Sequence, residues 1–366
     1  MALRCGIIGL PNVGKSTLFN ALTSSSVPTE NYPFCTIDPH IGIVELPDQR
    51  IEKLRNIYKP QKVAPATVEF TDIAGLVKDA SKGEGLGNQF LGQIRQVAAI
   101  IHVVRCFTDD NVTHVEGSVN PVRDAEIIET ELLLADLETL EKQYTKTEKL
   151  AKSGDKNDKM KFDVISRLLK HCNGGHRART FSADENESAI IKQLHLLTWK
   201  PILYVSNVDE KEIAKVQRGS LEQRLADFAN KEGNLSIRLC SKLEQDIAIL
   251  SDNEKDMFLK EYNLQKPGLY KLIHAAFKLL GLETFFTGGP KQVRSWTINE
   301  GTTAPCAAGE IHTDFQRGFI KAEVFKYDDL VRLGSEKAVK DAGLAKLQGK
   351  EYVVQDGDCI YFHFNV

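Results

Sequence analysis

Apolar runs and amphipathic segments alternate along the chain up to about residue 124 and again between about residues 200 and 280. Continuous apolar runs are typical of buried strands, and apolar positions three or four residues apart are typical of helices that pack on a sheet. The runs that predict strands cover residues 3–8, 41–46, 66–73, 98–107, 201–205 and 236–240. Helical spacing follows several of them, as at residues 17–22. The alternation predicts an α/β domain with a parallel sheet.

Between about residues 124 and 199 the apolar spacing changes. A seam with alternating steps of four and three residues contains Leu133, Leu137, Leu140, Tyr144, Thr147 and Ala151, and such a seam is typical of a coiled coil. Residues 154–157 interrupt it, and a second amphipathic helix follows and ends at residues 173–175. We therefore expect an antiparallel helical arm at residues 126–199, inserted into an α/β domain formed by residues 1–125 and 200–281.

From about Leu282 short strands alternate with turns that contain Gly and Asp. The predicted strands are 293–298, 319–325, 352–354 and 359–364, and a helix is predicted at 327–333. Residues 282–366 should therefore form a compact α+β module. This module contains no catalytic constellation and is typical of a binding domain. His312, Asp314 and Arg317 are candidate surface contacts, although each is explained more simply as a turn residue.

The composition is that of an ordinary globular protein, because 42% of the 366 residues are hydrophobic and 27% are charged. This length predicts two or three domains. There is no apolar run of 18 residues, and an apolar strand begins near the N-terminus, so neither a membrane span nor a signal peptide is expected. The seven cysteines are scattered without a C-x-x-C pair, which predicts a cytoplasmic protein without a disulfide framework or zinc site. A monomer is the default expectation.

The clearest chemical motif is the segment from Gly9 to Ser16, which matches the phosphate-binding pattern G-x-x-x-x-G-K-[ST]. Glycines let backbone N–H groups approach the phosphates. Lys15 would neutralise the β- and γ-phosphates, and the Ser16 hydroxyl would bind Mg²⁺. The motif lies between a predicted strand and a predicted helix, as phosphate binding requires. The predicted nucleotide contacts here are Gly9, Pro11, Asn12, Val13, Gly14, Lys15, Ser16 and Thr17.

Three further positions complete the predicted triphosphate and metal site. Thr36 lies in a proline-containing loop and would supply a second hydroxyl to Mg²⁺. Asp72 ends an apolar strand and would hold the ion through water. Gly75, the last residue of a D-x-x-G motif, would bring a backbone N–H to the γ-phosphate.

The residue that should position the attacking water is less clear. Leu76 occupies the place where Ras-like enzymes carry a glutamine, and leucine forms no hydrogen bonds. His114 follows the next apolar strand in a polar loop, on the side of the sheet where ligands bind. We therefore predict that His114 and Lys15 are the catalytic residues. The alternative for His114 is an ordinary histidine in a surface loop.

The residues expected around the base depart from the guanine-specific pattern N-K-x-D. Asn207 begins the motif, but Val208 replaces the lysine and Glu210 replaces the aspartate. Glutamate is one methylene longer and would crowd the edge of guanine, so this sequence argues against guanine selectivity. Ser241 and Lys242 follow the next strand and would form the other side of the base pocket.

The predicted arm is strongly basic. Between Lys142 and Arg179 there are eight Lys and three Arg against four Asp or Glu, a net charge of +7 in a chain whose net charge is −3. Such a concentration of charge suits the phosphate backbone of RNA. The alternative is a solvated coiled-coil surface without a nucleic-acid partner.

Several segments of the chain resemble the YchF subfamily of Obg-like P-loop NTPases. These segments are G-L-P-N-V-G-K-S-T, N-Y-P-F-C-T-I-D-P, D-I-A-G-L-V-K-D-A-S-K-G-E-G-L-G-N-Q-F-L, N-V-D-E, T-T-A-P-C-A-A-G-E-I-H-T-D-F and Y-V-V-Q-D-G-D. The resemblance implies a G domain interrupted by a coiled-coil arm and followed by a TGS domain. It also implies an ATPase that prefers ATP to GTP and binds the ribosome.

The resemblance also implies roles for single residues. The N-x-x-E motif of Asn207 and Glu210 matches the preference for ATP, Leu76 matches the hydrophobic replacement of glutamine, and His114 matches the histidine proposed to compensate for it. Asn12 matches the asparagine that holds K⁺ in potassium-dependent relatives. The resemblance therefore leaves open whether K⁺ is bound in addition to Mg²⁺.

Three hypotheses follow for the function. The first is a slow ATPase switch that binds the 70S ribosome and its large subunit and acts in translation, without a DNA or membrane partner. The second is a GTP-specific GTPase in ribosome assembly. The third is an RNA-binding adaptor whose nucleotide only sets its shape.

Overall fold

The computed structural model describes residues 4–24, 40–73, 86–109, 111–215 and 217–365. The predicted residues Thr36, Gly75 and Leu76 lie outside these ranges. Contacts between residues divide the chain into two compact units. The first unit comprises Met1–Ile43 and Glu69–Leu272, and the second comprises Val44–Val68 and Ile273–Val366.

A six-stranded sheet forms the centre of the first unit. Its strands are β1 (Arg4–Ile8), β2 (Ile41–Glu45), β4 (Thr67–Asp72), β5 (Ala99–Arg105), β6 (Ile202–Asn207) and β7 (Leu235–Leu239), in the order β2-β4-β1-β5-β6-β7. β1 pairs in parallel with β4 and β5, and β6 pairs in parallel with β5 and β7. Every residue of β5 and β6 is buried, as expected for central strands of a sheet covered on both faces. The predicted α/β sheet is thus confirmed.

The helices of this unit follow the strands in the sequence. They are α1 (Lys15–Ser24), α3 (Leu86–Gln96), α4 (Pro121–Ala151), α5 (Lys156–Asn173), α6 (Glu185–Lys192), α7 (Glu210–Ile213), α8 (Ser220–Lys231), α9 (Ser241–Ala248) and α10 (Asp252–Glu261), and a short 3₁₀ helix spans Ala178–Thr180. The next helix, α11 (Gly268–Leu279), begins in this unit and ends in the second. Among their packing contacts, α1 packs on α9, and α4 packs on β5 and α8.

The predicted helical arm is formed by α4 and α5. Tyr144, near the end of α4, contacts Phe162, near the start of α5, with ring centroids 5.1 Å apart, so the two helices run antiparallel. Leu133 and Leu140 belong to one apolar core with Val164, Leu168 and other residues from the segments that follow α5. The predicted seam therefore exists.

The start of the arm differs from the expected boundary at residue 126. That position lies inside α4, and Ile128 and Leu132 are completely buried. The first turns of α4 therefore belong to the core of the first unit. Asp136 anchors the returning chain, because its carboxylate accepts hydrogen bonds at 2.7 Å from the backbone N–H groups of Leu197 and Thr198 and from the Thr198 hydroxyl.

Two arginines of the basic segment are not part of its surface. Arg179 Nη2 lies 2.8 Å from Glu129 Oε1 and 3.1 Å from Glu232 Oε2, and Arg177 pairs with the same two glutamates. Burial by itself would raise the pKa of Glu129, but the charge and hydrogen bond of Arg179, together with the charges of His102 and Arg177, lower it overall. These ion pairs connect the end of the arm to the core of the unit.

The second unit contains a mixed six-stranded sheet, five complete helices and the C-terminal part of α11 in its described residues. The strands are β3 (Lys62–Ala64), β8 (Leu282–Thr287), β9 (Gln292–Asn299), β10 (Phe319–Lys326), β11 (Lys346–Gln348) and β12 (Asp358–Phe364), in the order β11-β10-β12-β8-β9-β3. The helices are α2 (Gln49–Tyr58), α12 (Ala304–Ile311), α13 (Thr313–Arg317), α14 (Tyr327–Leu333) and α15 (Glu336–Asp341). The predicted α+β module is therefore present. His312 and Asp314 lie 3.4 Å apart at the start of α13.

Two expectations for this unit are wrong. Residues 44–68 were assigned to the α/β domain, but Ile51 and Leu54 of α2 pack in one core with Phe286 and Val293, and β3 pairs with β9. Residues 352–354 form no strand, and only an isolated bridge joins Val353 to Thr303. Both errors have the same cause, because the structure of a short segment depends more on the residues it packs against than on its own pattern of apolar positions.

No helix in the described part of the chain is long and apolar enough to span a membrane.

Candidate nucleotide-binding site

Residues 9–14 join the end of β1 to the start of α1, as the sequence predicts. Asn12 and Gly14 have positive φ values of 62° and 91°. A Cβ atom on Gly14 would also clash with the side-chain amide nitrogen of Asn207, and one on Gly9 would lie 2.6 Å from the Val103 carbonyl oxygen. Val13 is buried, so it can offer a nucleotide only its backbone. The loop therefore has the tight, glycine-dependent path of a phosphate-binding loop.

Strand β4 brings Asp72 to the end of β1, since Asp72 lies beside Ile7 in the sheet. Lys15 Nζ donates a hydrogen bond of 2.7 Å to Asp72 Oδ1, and the two side chains are only 10% and 16% exposed. Ser16, in the first turn of α1, is exposed. The predicted phosphate lysine and two predicted metal ligands therefore meet at one edge of the sheet.

The donor atoms at this edge fit Mg²⁺. A serine hydroxyl and a carboxylate are hard oxygen ligands of the kind that Mg²⁺ prefers. Within the described residues no group of three or more His, Cys, Asp or Glu side chains could hold a metal ion alone. A Mg²⁺ ion here would therefore need nucleotide phosphates and water as further ligands, as is usual for an ion that enters with its nucleotide.

Asn207, at the end of β6, connects the phosphate loop to the predicted base pocket. Its Nδ2 donates to the Val13 carbonyl at 2.8 Å, and its Oδ1 accepts from the Ser241 backbone N–H at 2.9 Å. The amide nitrogen carries a second N–H that these bonds do not use. The sequence predicted only a contact with the base, and the structure adds a bracing role between two loops.

The remaining base-pocket residues fall into two groups. Glu210 Oε1 and Lys242 Nζ form an ion pair of 2.8 Å near the surface. Val208 is buried and lines a cavity of about 230 Å³ together with Cys106, Phe107 and the start of α8.

The Ser241 hydroxyl is buried and finds no hydrogen-bond partner among the described residues. This orphaned donor lies beside Gly14, where a bound nucleotide could satisfy it.

A buried arginine organises the loop that follows β5. Arg105 is 2% exposed, and its guanidinium donates to the carbonyl oxygens of Phe107, Val112 and Asp109 at 3.1, 2.9 and 3.2 Å. The same guanidinium lies over the Phe107 ring, 4.5 Å from its centroid. The sequence analysis missed Arg105, although a charged residue at the end of an apolar strand was a signal.

His114 lies in the loop between β5 and α4, as the sequence predicts, and its ring is held by neighbouring residues. Its ring is 6% exposed, Nε2 lies 2.9 Å from Asp124 Oδ2, and Nδ1 accepts a hydrogen bond from the Glu116 backbone N–H at 3.1 Å. Because Nδ1 is an acceptor, Nε2 carries the proton and donates it to Asp124. Both ring nitrogens thus have partners within the protein, so the predicted role in orienting water would require the ring to give up one of these hydrogen bonds. Asp124, which the sequence analysis also missed, holds the ring from the first turn of α4.

Comparison with known proteins agrees with this geometry. Residues 4–160 match a family described as 50S ribosome-binding GTPase, and residues 282–365 match the YchF-GTPase C-terminal family, described as a protein of unknown function. The chain is 53% identical over 366 residues to "Ribosome-binding ATPase YchF" of Bacillus subtilis and 49% identical to the protein of the same name from Escherichia coli O157:H7. Both alignments cover all of each chain.

A solved structure extends the likeness to three dimensions. It is described as the Schizosaccharomyces pombe YchF GTPase, is 38% identical to this chain, and superposes with a TM-score of 0.90 over 99% of this chain and 97% of the other. A phosphate loop, a helical arm and a C-terminal α+β module thus occur together in full-length relatives. The chain belongs to the YchF family of P-loop NTPases.

Proposed function

We propose that this protein is an ATPase that binds Mg²⁺–ATP at the phosphate loop and hydrolyses the bond between the β- and γ-phosphates. The observation that carries the proposal is the convergence of Lys15, Ser16 and Asp72 beside the loop. Water attacks the γ-phosphorus, the bond to the β–γ bridging oxygen breaks, and ADP and inorganic phosphate leave. The bound ion would neutralise charge on the phosphates.

The protein's own residues bind and orient the nucleotide. Lys15 would leave Asp72 for the phosphate oxygens, which frees the carboxylate to hold the water shell of the ion. Ser16 and Thr36 would be direct metal ligands, and the Gly75 backbone N–H would contact the γ-phosphate. Asn12 donates its side-chain N–H to the Thr113 carbonyl, so its amide oxygen is the atom that K⁺ could use. Hydrolysis without a partner should be slow, because Leu76 cannot orient water.

We propose ATP rather than GTP as the substrate. The printed names of the relatives differ on this point, since two are called ATPases and the solved structure is called a GTPase. In this chain Glu210 takes the place of the aspartate that recognises guanine, and its carboxylate is paired with Lys242. A longer side chain that is already neutralised is a poor acceptor for the two guanine N–H donors. The second N–H of the Asn207 side chain could donate to a ring nitrogen of the base, and adenine has such an acceptor just as guanine has.

Calorimetric titration of the protein with ATP and GTP, each with Mg²⁺, tests this preference. ATP should bind at least about tenfold more tightly than GTP, a difference of about 1.4 kcal/mol. Glu210→Asp should reduce that ratio, because the shorter side chain leaves room for guanine. Glu212→Asp, two residues further along α7 and paired with Lys215, should keep the wild-type ratio. Tighter binding of GTP by the wild-type protein would support the GTPase hypothesis instead.

We further propose that the arm binds ribosomal RNA, which implies a cytoplasmic site of action. With Arg177 and Arg179 held in ion pairs with Glu129 and Glu232, the basic surface consists mainly of lysines. All eight lysines of the segment are exposed: Lys142, Lys146, Lys149, Lys152, Lys156, Lys159, Lys161 and Lys170. Exposed lysines on two packed helices present positive charge to a phosphate backbone without a large cost of desolvation.

Reversal of four of these charges tests the arm. Replacement of Lys149, Lys152, Lys156 and Lys159 by Glu should abolish or strongly weaken co-sedimentation with 70S ribosomes and flatten its dependence on salt concentration. The control carries the same change at four exposed lysines on α8, α10 and α11: Lys231, Lys260, Lys271 and Lys278. Equal loss in both variants would show a nonspecific effect of net charge, and no loss in the arm variant would contradict the proposal.

A further inference from the structure

The described residues of the loop after β5, 107–109 and 111–117, are here called the bridging loop, and they contact two elements that have different proposed tasks. One is the phosphate loop, which binds the nucleotide. The other is the first turn of α4. This 31-residue helix forms the arm together with α5, and the exposed lysines begin in its C-terminal part. Neighbouring residues of the bridging loop make the two contacts, Thr113 with the phosphate loop and His114 with α4.

At the phosphate loop, Asn12 Nδ2 donates a hydrogen bond of 3.2 Å to the Thr113 carbonyl oxygen. Asn12 has a φ of 62°, a conformation that costs free energy for a residue other than glycine and is kept only when its surroundings hold it. The bond to Thr113 is one such restraint. A displacement of Thr113 should therefore change the conformation of the loop that binds the phosphates.

At the helix, the His114–Asp124 hydrogen bond is buried, since the Asp124 side chain is 2% exposed. The other carboxylate oxygen of Asp124 accepts a bond of 2.8 Å from Arg123, which also donates to the Ser118 carbonyl. A helix of this length spans about 46 Å. Tilting or rotating α4 should therefore move Asp124, and His114 with it.

Hydrogen bonds on both sides of Thr113 and His114 restrain the bridging loop. The three hydrogen bonds from Arg105 tie Phe107, Asp109 and Val112 to the end of β5. The His114 carbonyl accepts from the Gly117 backbone N–H at 3.0 Å. Because the loop cannot easily absorb a displacement internally, movement at His114 should reach Thr113.

We propose that Asp124 is a positioning residue that couples the arm helix to Asn12 of the phosphate loop through His114 and Thr113. This inference rests on the proposed binding of the ribosome by the arm. A ribosome that favours one orientation of α4 then changes the affinity for the nucleotide, and the nucleotide changes the affinity for the ribosome by the same factor.

NMR spectroscopy of the full chain labelled with ¹⁵N in asparagine and histidine tests the coupling without a ribosome. In Asp124→Asn the single amide oxygen cannot accept from both the His114 Nε2–H and the Arg123 guanidinium, and the ring loses its charged acceptor, so the hydrogen bonding of the ring should change. The His114 ring signals and the Asn12 side-chain amide signals should both shift. In Asp163→Asn, an exposed site on α5, neither should shift. A shift of His114 alone would overturn the inference.

Arg105→Lys gives a second variant in case Asp124→Asn does not fold. Lysine keeps the charge but cannot donate to three carbonyls in the fork geometry of arginine. The Asn12 signals should again shift, whereas Arg4→Lys, at the opposite end of the sheet, should leave them unchanged. Unchanged Asn12 signals in Arg105→Lys would show that the bridging loop does not act on the phosphate loop.

The functional test measures ATP affinity with a fluorescent analogue, with and without purified 70S ribosomes. Ribosomes should change the wild-type dissociation constant at least about fivefold. Asp124→Asn should still co-sediment with ribosomes, but the change should fall to about twofold or less. The inference would be overturned if ribosomes left the wild-type dissociation constant unchanged, or if they changed it by the same factor in Asp124→Asn. If the wild-type protein does not co-sediment, the proposed function fails, and the NMR experiment still decides the coupling.

Discussion

Replacement of Gly14 by alanine should weaken ATP binding by at least about a hundredfold, or about 2.7 kcal/mol. Two physical causes add together. The φ of 91° at Gly14 is unfavourable for any residue with a Cβ atom, and that atom would clash with the Asn207 amide nitrogen. Relief of the clash would displace Asn207 from Val13 and Ser241, and so disturb both the phosphate loop and the base pocket. Calorimetric titration with Mg²⁺–ATP measures the loss.

Gly92→Ala is the matched control for this variant. Gly92 lies within α3, and a Cβ atom there would have no neighbour within 4 Å among the described residues. Alanine should favour the helix by up to about 1 kcal/mol and leave ATP affinity unchanged. If Gly14→Ala bound ATP within about tenfold of the wild-type protein, the tight path of the phosphate loop would not be needed for binding.

Replacement of Asp136 by alanine should produce the largest loss of stability, about 3 kcal/mol or more in the first unit. The variant leaves three buried donors, two on Thr198 and one on Leu197, without their acceptor. Each unsatisfied buried donor costs about 1–3 kcal/mol. Trp199 follows Thr198 directly and packs against the core of the arm. Its fluorescence should therefore report a lower urea midpoint, measured in a Trp296→Phe background that removes the only other tryptophan.

Asp163→Ala, on the exposed side of α5, controls for the loss of a carboxylate on the arm. Its ion pair with Arg167 is open to solvent, and such pairs contribute at most about 1 kcal/mol. The midpoint should change little. Similar midpoints for Asp136→Ala and Asp163→Ala would mean that the returning chain is held by apolar packing and that the three hydrogen bonds add little.

The sequence was most informative where local chemistry decides the structure. The phosphate loop needs glycine, lysine and serine at fixed spacing, and Lys15, Ser16 and Asp72 meet at the edge where their motifs predicted. The arm could also be predicted, because apolar residues at alternating spacings of four and three specify a packed helix pair without reference to the rest of the chain.

The sequence did not show which hydrogen-bond partners the folded chain brings to a residue. His114 lies in a polar loop near the ligand side of the sheet, and nothing in that loop shows that Asp124 will occupy its ring. Asn207 matches a base-recognition motif, and its bonds to Val13 and Ser241 follow only from the order of the strands. The charge of Arg105 at the end of an apolar strand was a signal, but its hydrogen-bond partners among the described residues are backbone carbonyls, which no sequence pattern identifies.

The division of the second unit between two distant segments has a consequence for biosynthesis. Ile51 and Leu54 of α2 leave the ribosome more than 200 residues before Phe286 and Val293, with which they share a core. At translation rates of about 5–20 residues per second, that helix waits on the order of 10–50 s for its partners. During this interval its apolar face is open to chaperones and to other nascent chains. Removal of the chain from residue 282 onward would make that exposure permanent.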